Sequence, residues 1–131
     1  MTDDDTAIRN LITDYALALD AGDIDECVQL FTADAEVKVY GRSFVRHEGL
    51  RKMFSDAPHG LHLMGVSRID VHGDTATARS QVLFVGAGDL QLRPGLYDDE
   101  LIRDAGQWRF RRRRCQFITS GGLSDRPEVA S

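Results

Sequence analysis

The 131-residue chain is 42% hydrophobic and 28% charged, with a net charge of −5 at neutral pH. This composition predicts one globular domain and argues against a nucleic-acid binder, because phosphate recognition requires a clustered positive field. The sequence has neither an apolar run of about 18 residues nor an N-terminal signal pattern, so we expect a cytoplasmic protein with no membrane partner.

The first predicted element is an amphipathic helix over residues 3–21. Its apolar residues have the i, i+3, i+4, i+7 spacing of a buried helix face; they are Ile8, Leu11, Ile12, Tyr15, Ala16 and Leu19. Gly22 is a natural left-handed stop. Asp20 conflicts with the pattern, because the helix C-terminus disfavours a carboxylate by roughly a few tenths of a kcal/mol. Asp20 is therefore either an indifferent surface residue or one that is held there for chemistry.

A second helix, a short strand and a third helix follow. Asp23 and Glu26 have the spacing of a capping box, which opens a helix that ends at residue 34. Alternation of apolar and polar residues predicts a short strand over residues 35–40. A loop over residues 41–46 then leads to a third helix over residues 48–56.

From residue 59 onward the apolar period changes from 3.6 to 2, which indicates strands. Four long strands are predicted, over residues 61–72, 75–85, 90–103 and 108–119. Helices followed by an antiparallel sheet indicate an α+β domain, in which a strongly curved sheet wraps around the helices as a cone and leaves a cavity at its open end. We expect one domain over residues 1–119 and a flexible tail over residues 120–131.

Several local segments carry a resemblance to a known family. They read Y-A-L-A-L-D-A-G-D (15–23), L-F-T-A-D-A-E-V (30–37), G-L-H-L-M-G (60–65), H-G-D-T-A-T-A-R-S (72–80), Y-D-D-E-L-I-R (97–103) and G-Q-W-R-F-R-R-R (106–113). In this order, the chain resembles the nuclear transport factor 2-like superfamily. Within it, the chain is most similar to the SnoaL-like group that includes scytalone dehydratase.

The resemblance implies a site. In the dehydratase branch, an aspartate of the first helix pairs with a histidine on a sheet strand, and an aromatic hydroxyl or a lysine often lies five residues before the aspartate. Asp20, His62 and Tyr15 match these positions. The ketosteroid isomerases of the superfamily carry their catalytic aspartate near the position of Val39, so the resemblance disfavours an isomerase of that mechanism.

The chemistry of these residues fits proton abstraction. A histidine has an ordinary pKa of about 6.5, and a carboxylate on its second nitrogen fixes the tautomer and stabilises the imidazolium. His62 is therefore the candidate base, Asp20 orients it, and Tyr15 is the candidate oxyanion donor or acid. Taken alone, each residue also has a plain structural interpretation: Tyr15 as packing, Asp20 as a surface acid and His62 as an ordinary strand histidine.

Several other residues are weaker candidates for the cavity and its rim. Tyr40 is a candidate for the cavity wall, and Tyr97 and Asp99 share a face of the third long strand. The arginine-rich segment 108–114 is best interpreted as a strand whose arginines pair with the acidic run 98–100. Strict alternation puts Arg112 on the face of Trp108 and Phe110, where it is a weak candidate for binding an anionic substrate group. His47 and His59 are candidates for the pocket rim.

No cofactor or metal is expected. The histidines lack metal-ligand spacing, no phosphate-binding glycine loop opens a helix, and Cys27 and Cys115 are expected to be reduced thiols. The leading hypothesis is a cofactor-independent lyase that acts on a small hydrophobic cyclic substrate. An isomerase or a polyketide cyclase-like enzyme that uses the same proton transfer stays open, as does a non-catalytic ligand-binding or assembly domain. Family resemblance implies a homodimer or a higher homo-oligomer.

Overall fold

A computed structural model describes residues 3–129 and opens with helix α1, Asp4–Asp20. Asp3 caps this helix by accepting a hydrogen bond of 2.7 Å from the backbone N–H of Thr6. Gly22 follows its end with φ 75°, as its position after the apolar stripe predicts. Within the described residues, no helix has the length and apolarity needed to cross a membrane.

The next segment differs from the prediction at its helix end and its loop. Helix α2 covers only Ile24–Gln29, capped by Asp23, and strand β1 covers Phe31–Val39. The predicted continuation of this helix to residue 34 is wrong because β1 pairs in parallel with a later strand, so tertiary pairing overrides the local pattern. The loop predicted over residues 41–46 is likewise wrong: Arg42–Val45 forms strand β2 and pairs antiparallel with β1.

Helix α3, Arg46–Asp56, leads into a set of long strands. These are β3 (Gly60–His72), β4 (Thr75–Gly86), β5 (Leu92–Asp104), β6 (Gln107–Thr119) and the short β7 (Gly122–Ser124). The sheet order is β2-β1-β6-β5-β4-β3, and β7 pairs with β6. Register shifts interrupt the β3–β4 pair and the β5–β6 pair, and such bulges bend strands and increase their twist.

The curled, unclosed sheet packs against the helices, which confirms the predicted α+β class. Helix α1 contacts β3 and β6, and α3 contacts β1. The core lies between helices and sheet, and its fully buried side chains include Ile8, Val28, Phe31, Leu50 and Phe110. Because the sheet curls without closing, one end of this core opens into a cavity.

The sheet extends beyond the predicted domain boundary at residue 119. Strand β7 pairs with β6 through the register Phe117↔Ser124 and Thr119↔Gly122. Gly122, with φ 112°, forms the turn, and the Thr119 hydroxyl donates to its backbone oxygen at 2.8 Å. Part of the predicted tail is therefore ordered by strand pairing.

A bulge on β6 corrects the predicted faces of the arginine segment. Glu100 pairs with Arg112 and Leu101 pairs with Phe110, so Arg111 is the extra residue. The extra residue reverses the alternation: Trp108 and Phe110 point inward before the bulge, and Arg113 points inward after it. Arg112 therefore faces outward, which strict alternation could not show.

Candidate active site

The open end of the core is a cavity of about 450 Å³. Helices α1 and α3 form one side, and strands β1 to β6 form the other. The lining is mainly apolar and aromatic and includes Leu19, Val37, Val39, Phe44, Met53, Phe54, Val82, Phe84, Tyr97 and Phe117. A cavity of this size and composition matches the usual features of a site for a small hydrophobic molecule.

Asp20 and His62 meet at this cavity. Asp20 is the last residue of α1, and His62 lies on the edge strand β3 and faces inward between the exposed Leu61 and Leu63. The imidazole Nδ1 is 2.7 Å from Asp20 Oδ1. The backbone N–H of His62 also donates to both carboxylate oxygens of Asp20, at 3.0 and 2.9 Å. The structure thus brings together the two residues that the family resemblance pairs.

These contacts assign the tautomer of His62. A carboxylate can only accept, so Nδ1 carries the hydrogen and Nε2 keeps its lone pair. Among residues 3–129, Nε2 has no hydrogen-bond partner, and His62 lines the cavity. Burial lowers the pKa of His62, and the bond to Asp20 opposes that effect. Neutral imidazole with a free Nε2 is the form that accepts a proton.

The same contacts explain the acid in the last turn of α1. Only 18% of the Asp20 side chain is exposed, against 14% for His62. Two donors of one β3 residue, the backbone N–H and Nδ1–H of His62, make three hydrogen bonds to the carboxylate, which offset the weak repulsion from the helix C-terminus. Asp20 is therefore held by a distant strand rather than by its own helix.

Tyr15 lies deeper in the core and also lines the cavity. Its ring packs edge-on against Phe31, Phe54, Tyr97 and Phe110, with centroids 5.8–6.1 Å away. Burial raises the pKa of its hydroxyl well above the ordinary value, so the group stays protonated and can donate a hydrogen bond.

Behind this aromatic wall lies an ion pair of the kind predicted between the arginine segment and the acidic run 98–100, but it is buried, which the sequence pattern did not indicate. Arg113 donates to Asp99 through Nε at 2.7 Å and Nη2 at 3.0 Å, and neither side chain is exposed. The guanidinium carbon lies 4.3, 3.8 and 4.4 Å from the ring centres of Tyr15, Tyr97 and Phe110. Arg113 Nη1 has no partner among the described residues. Burial acts to lower the pKa of Arg113, but the attraction and hydrogen bonds of the Asp99 carboxylate raise it by more. The net pKa lies above the ordinary value, so the arginine stays charged.

The prediction that Arg112 enters the cavity is wrong. Its side chain is 62% exposed and its Nε lies 3.2 Å from Glu36 Oε1. The bulge at Arg111 is the cause, and Arg113 points inward instead. The alternation of residues around the segment carries no signal for such a bulge.

The remaining candidates fall in different places. Tyr40 lines the cavity, and its hydroxyl accepts a hydrogen bond of 2.7 Å from Arg93 Nη1. His47 Nε2 bonds the backbone oxygen of Phe31 at 3.0 Å, which is a structural role. His59 is exposed.

The two cysteines are both free: Cys27 is buried, and Cys115 is half-buried at the cavity. Burial raises the pKa of the Cys115 thiol to about 11. Among residues 3–129, no group of three His, Cys, Asp or Glu side chains is arranged to hold a metal ion.

Comparisons with known proteins agree with this architecture. A family model described as the SnoaL-like domain matches residues 1–114. The uncharacterised protein Rv2910c of Mycobacterium tuberculosis H37Rv is 31% identical over 117 residues, which cover 81% of this chain and 80% of that protein.

Solved structures share the fold. An NTF2-like protein with a cystatin-like fold from Novosphingobium aromaticivorans superposes with a TM-score of 0.81 at 23% identity, over 91% of this chain and 86% of that one. A candidate scytalone dehydratase from the same organism superposes with a TM-score of 0.76 at 24% identity, over 96% of this chain and 89% of that one. Hexachlorocyclohexane dehydrochlorinase LinA-type3 from Novosphingobium barchaimii superposes with a TM-score of 0.78 at 21% identity, over 96% of this chain and 94% of that one.

Proposed function

This chain belongs to the SnoaL-like domain family, and from that premise we propose that it is a lyase that eliminates water or another leaving group from a small hydrophobic cyclic substrate. The observation that carries the proposal is the contact between Asp20 and His62 at the wall of an apolar cavity. A base of this kind needs no cofactor, because the imidazole itself takes the proton.

His62 acts as the base. Its Nε2 lone pair takes a proton from the carbon next to a carbonyl group, and the electron pair of that C–H bond forms the new C=C bond. The leaving group departs with the electron pair of its own bond, and a departing hydroxide takes the proton from the His62 imidazolium and leaves as water. Asp20 accepts the Nδ1 hydrogen bond throughout, which stabilises the imidazolium that forms.

Tyr15 serves as the donor to the developing oxyanion. Its hydroxyl is protonated because burial raises its pKa, and its ring is held by four aromatic neighbours. A well-placed donor of this kind contributes on the order of 10²-fold or more to the rate. Tyr40, another residue of the cavity lining, contributes to substrate binding.

The cavity supports the substrate class. A volume of about 450 Å³ with an aromatic and aliphatic lining suits a small hydrophobic substrate. Two proteins of the same fold are named a hexachlorocyclohexane dehydrochlorinase and a candidate scytalone dehydratase. Their names support the reaction class for this chain and leave its own substrate to experiment.

The test is a screen of hydroxylated cyclic ketones and halogenated rings with the wild-type protein, Asp20→Asn and His62→Ala. We expect elimination by wild type, a loss of about 10²–10⁴-fold in Asp20→Asn, and none in His62→Ala. His72→Ala is the matched control, because His72 is exposed at the end of β3 and lies outside the cavity lining.

Exchange of the substrate C–H for deuterium in heavy water, followed by NMR, separates proton abstraction from loss of the leaving group. Exchange or double-bond migration without elimination assigns an isomerase. Equal turnover in wild type, Asp20→Asn and His62→Ala contradicts the proposed mechanism.

A further inference from the structure

Four cationic side chains from four parts of the chain surround the cavity. They are Arg42 of β2, Lys52 of α3, Arg93 of β5 and Arg126, which follows β7. We call these four residues the cationic rim. Asp56 is the single acidic residue that lines this cavity among residues 3–129. The rim is therefore locally positive in a chain whose net charge is −5.

The rim is also unusual in lacking carboxylate partners. Of the 16 Lys and Arg residues of the chain, nine form ion pairs with Asp or Glu within residues 3–129. The seven others are Lys38, Arg42, Arg46, Lys52, Arg68, Arg93 and Arg126. Four of these seven line one cavity, so the cations without a carboxylate are concentrated where a ligand would enter.

Local contacts orient two of these guanidinium groups. Arg93 Nη1 donates to the Tyr40 hydroxyl at 2.7 Å, and its guanidinium carbon lies 6.0 Å from the ring centre of Phe84. Phe84 in turn lies 4.8 Å from the His62 ring, so Arg93 is connected by contact to the proposed base. The guanidinium of Arg42 lies 5.3 Å from the ring centre of Phe44, another lining residue.

The segment after β6 supplies the fourth cation. Strand β7 pairs with β6, and Asp125 lies 3.5 Å from Arg114. The backbone N–H of Arg126 donates to the Ser124 hydroxyl at 3.2 Å. These contacts hold Arg126 at the cavity, although nothing in the local sequence pattern connects it to the site.

We propose that the substrate carries an anionic oxygen group, a carboxylate or a phosphate, which the cationic rim binds while the apolar ring system lies in the cavity against His62. The inference rests on the proposed function for the reaction and names the class of substrate. Apolar lining favours the ring, and unpaired guanidinium donors favour an anion with which they form charge-assisted hydrogen bonds. The positive charge at the cavity mouth also steers anions to the cavity, and this attraction strengthens as the ionic strength falls.

Isothermal titration calorimetry with two isosteric probes tests the rim. The probes are 2-naphthylacetate and the neutral 2-naphthylacetamide, and a third probe, 2-naphthyl phosphate, separates the carboxylate from the phosphate source. For wild type at low salt, we expect one of the two anions to bind about tenfold more tightly than the amide, which corresponds to a single favourable charge contact. That advantage is expected to shrink in about 0.5 M salt.

Paired charge variants provide the control. Arg42→Gln combined with Arg126→Gln removes two rim charges, and both residues are exposed, so the fold is retained. Lys38→Gln combined with Arg68→Gln removes two other unpaired, exposed charges away from the cavity. We expect the first pair to abolish the preference for the anion and the second to leave it unchanged.

Three results contradict the inference. The first is equal affinity of the wild type for the amide and both anions, and the second is an unchanged anion preference in the rim variant. The third is an equal loss of anion preference in both double variants. Binding does not require proton transfer, so the same titration in Asp20→Asn is expected to show the wild-type preference. Elimination without anion preference therefore refutes the rim alone, and anion preference without elimination refutes the proposed lyase alone.

Discussion

The buried pair of Arg113 and Asp99 makes the strongest prediction about stability. We consider Asp99→Asn, which keeps the shape of the side chain and removes its charge. Neither side chain of the pair is exposed, and the two hydrogen bonds measure 2.7 and 3.0 Å. The variant leaves the Arg113 guanidinium charged inside the core.

The magnitude follows from this geometry. Two unit charges about 4 Å apart attract by about 4 kcal/mol at an effective dielectric constant of about 20. Removing one partner of a buried pair costs about 3–5 kcal/mol, because the remaining charge loses its counter-ion without regaining water. We therefore expect Asp99→Asn to lower the free energy of unfolding by about 3–5 kcal/mol.

Urea denaturation followed by circular dichroism measures this loss. With a slope of about 2 kcal/mol per molar urea, the midpoint falls by roughly 2 M. The matched control is Asp98→Asn on the same strand, whose carboxylate is 42% exposed and lies 3.1 Å from Arg79. The control is expected to cost under about 1 kcal/mol, because water screens an exposed pair.

A second variant separates charge from packing. Asp99→Leu combined with Arg113→Met replaces both charges by apolar groups and is expected to recover most of the lost stability. Equal losses of unfolding free energy in Asp99→Asn and Asp98→Asn would refute the claim that the Arg113–Asp99 pair is isolated from water. A large loss in Asp99→Asn that the double variant does not recover would assign the effect to packing.

Three further outcomes follow from the site and the sheet. His62 is expected to titrate by NMR below its ordinary pKa of about 6.5, because burial lowers that pKa. It is expected to titrate lower still in Asp20→Asn, and titration at or above the ordinary value contradicts the burial. Because the folded state then holds this proton less tightly than the unfolded state, stability and activity are both expected to fall as the pH drops through that range. Gly95→Ala is expected to cost about 1–3 kcal/mol in urea denaturation, since its Cβ would lie 2.7 Å from a backbone oxygen of β6. Gly121→Ala is the near-neutral control, because its Cβ would lie 3.9 Å from the Thr119 hydroxyl oxygen, an ordinary van der Waals contact. Tyr15→Phe is expected to keep stability within about 1 kcal/mol and to lower kcat by about 10²-fold, and full activity would exclude its hydroxyl from the reaction.

The sequence alone was sufficient where neighbours along the chain determine the structure. The 3.6-residue apolar period predicted α1 within one residue at each end, and strict alternation predicted β3 and β4 within a residue. Alternation also put His62 on the opposite face from Leu61 and Leu63. These features depend on backbone geometry and on side-chain direction, which repeat with each residue.

Pairing between distant segments decided the rest. Local residues are compatible with a longer second helix, but Phe31 pairs with Phe110 across the sheet and ends the helix early. The extra residue Arg111 moved Arg113, rather than Arg112, into the core. Side-chain alternation shifts by one residue at a bulge, so the single extra residue Arg111 reversed the faces predicted for the arginines after it.

The proposed site lies between these two cases. Asp20 was visible in the sequence as an acid in an unfavourable place, and family resemblance supplied His62, 42 positions away. Their hydrogen bonds depend on how α1 packs against an edge strand, and the cationic rim depends on four elements that meet only in the folded chain. Sequence period therefore determined which residues share a face wherever no bulge intervenes. Tertiary packing decided which faces are buried and which of them meet, because contact energies between distant segments are absent from any local pattern.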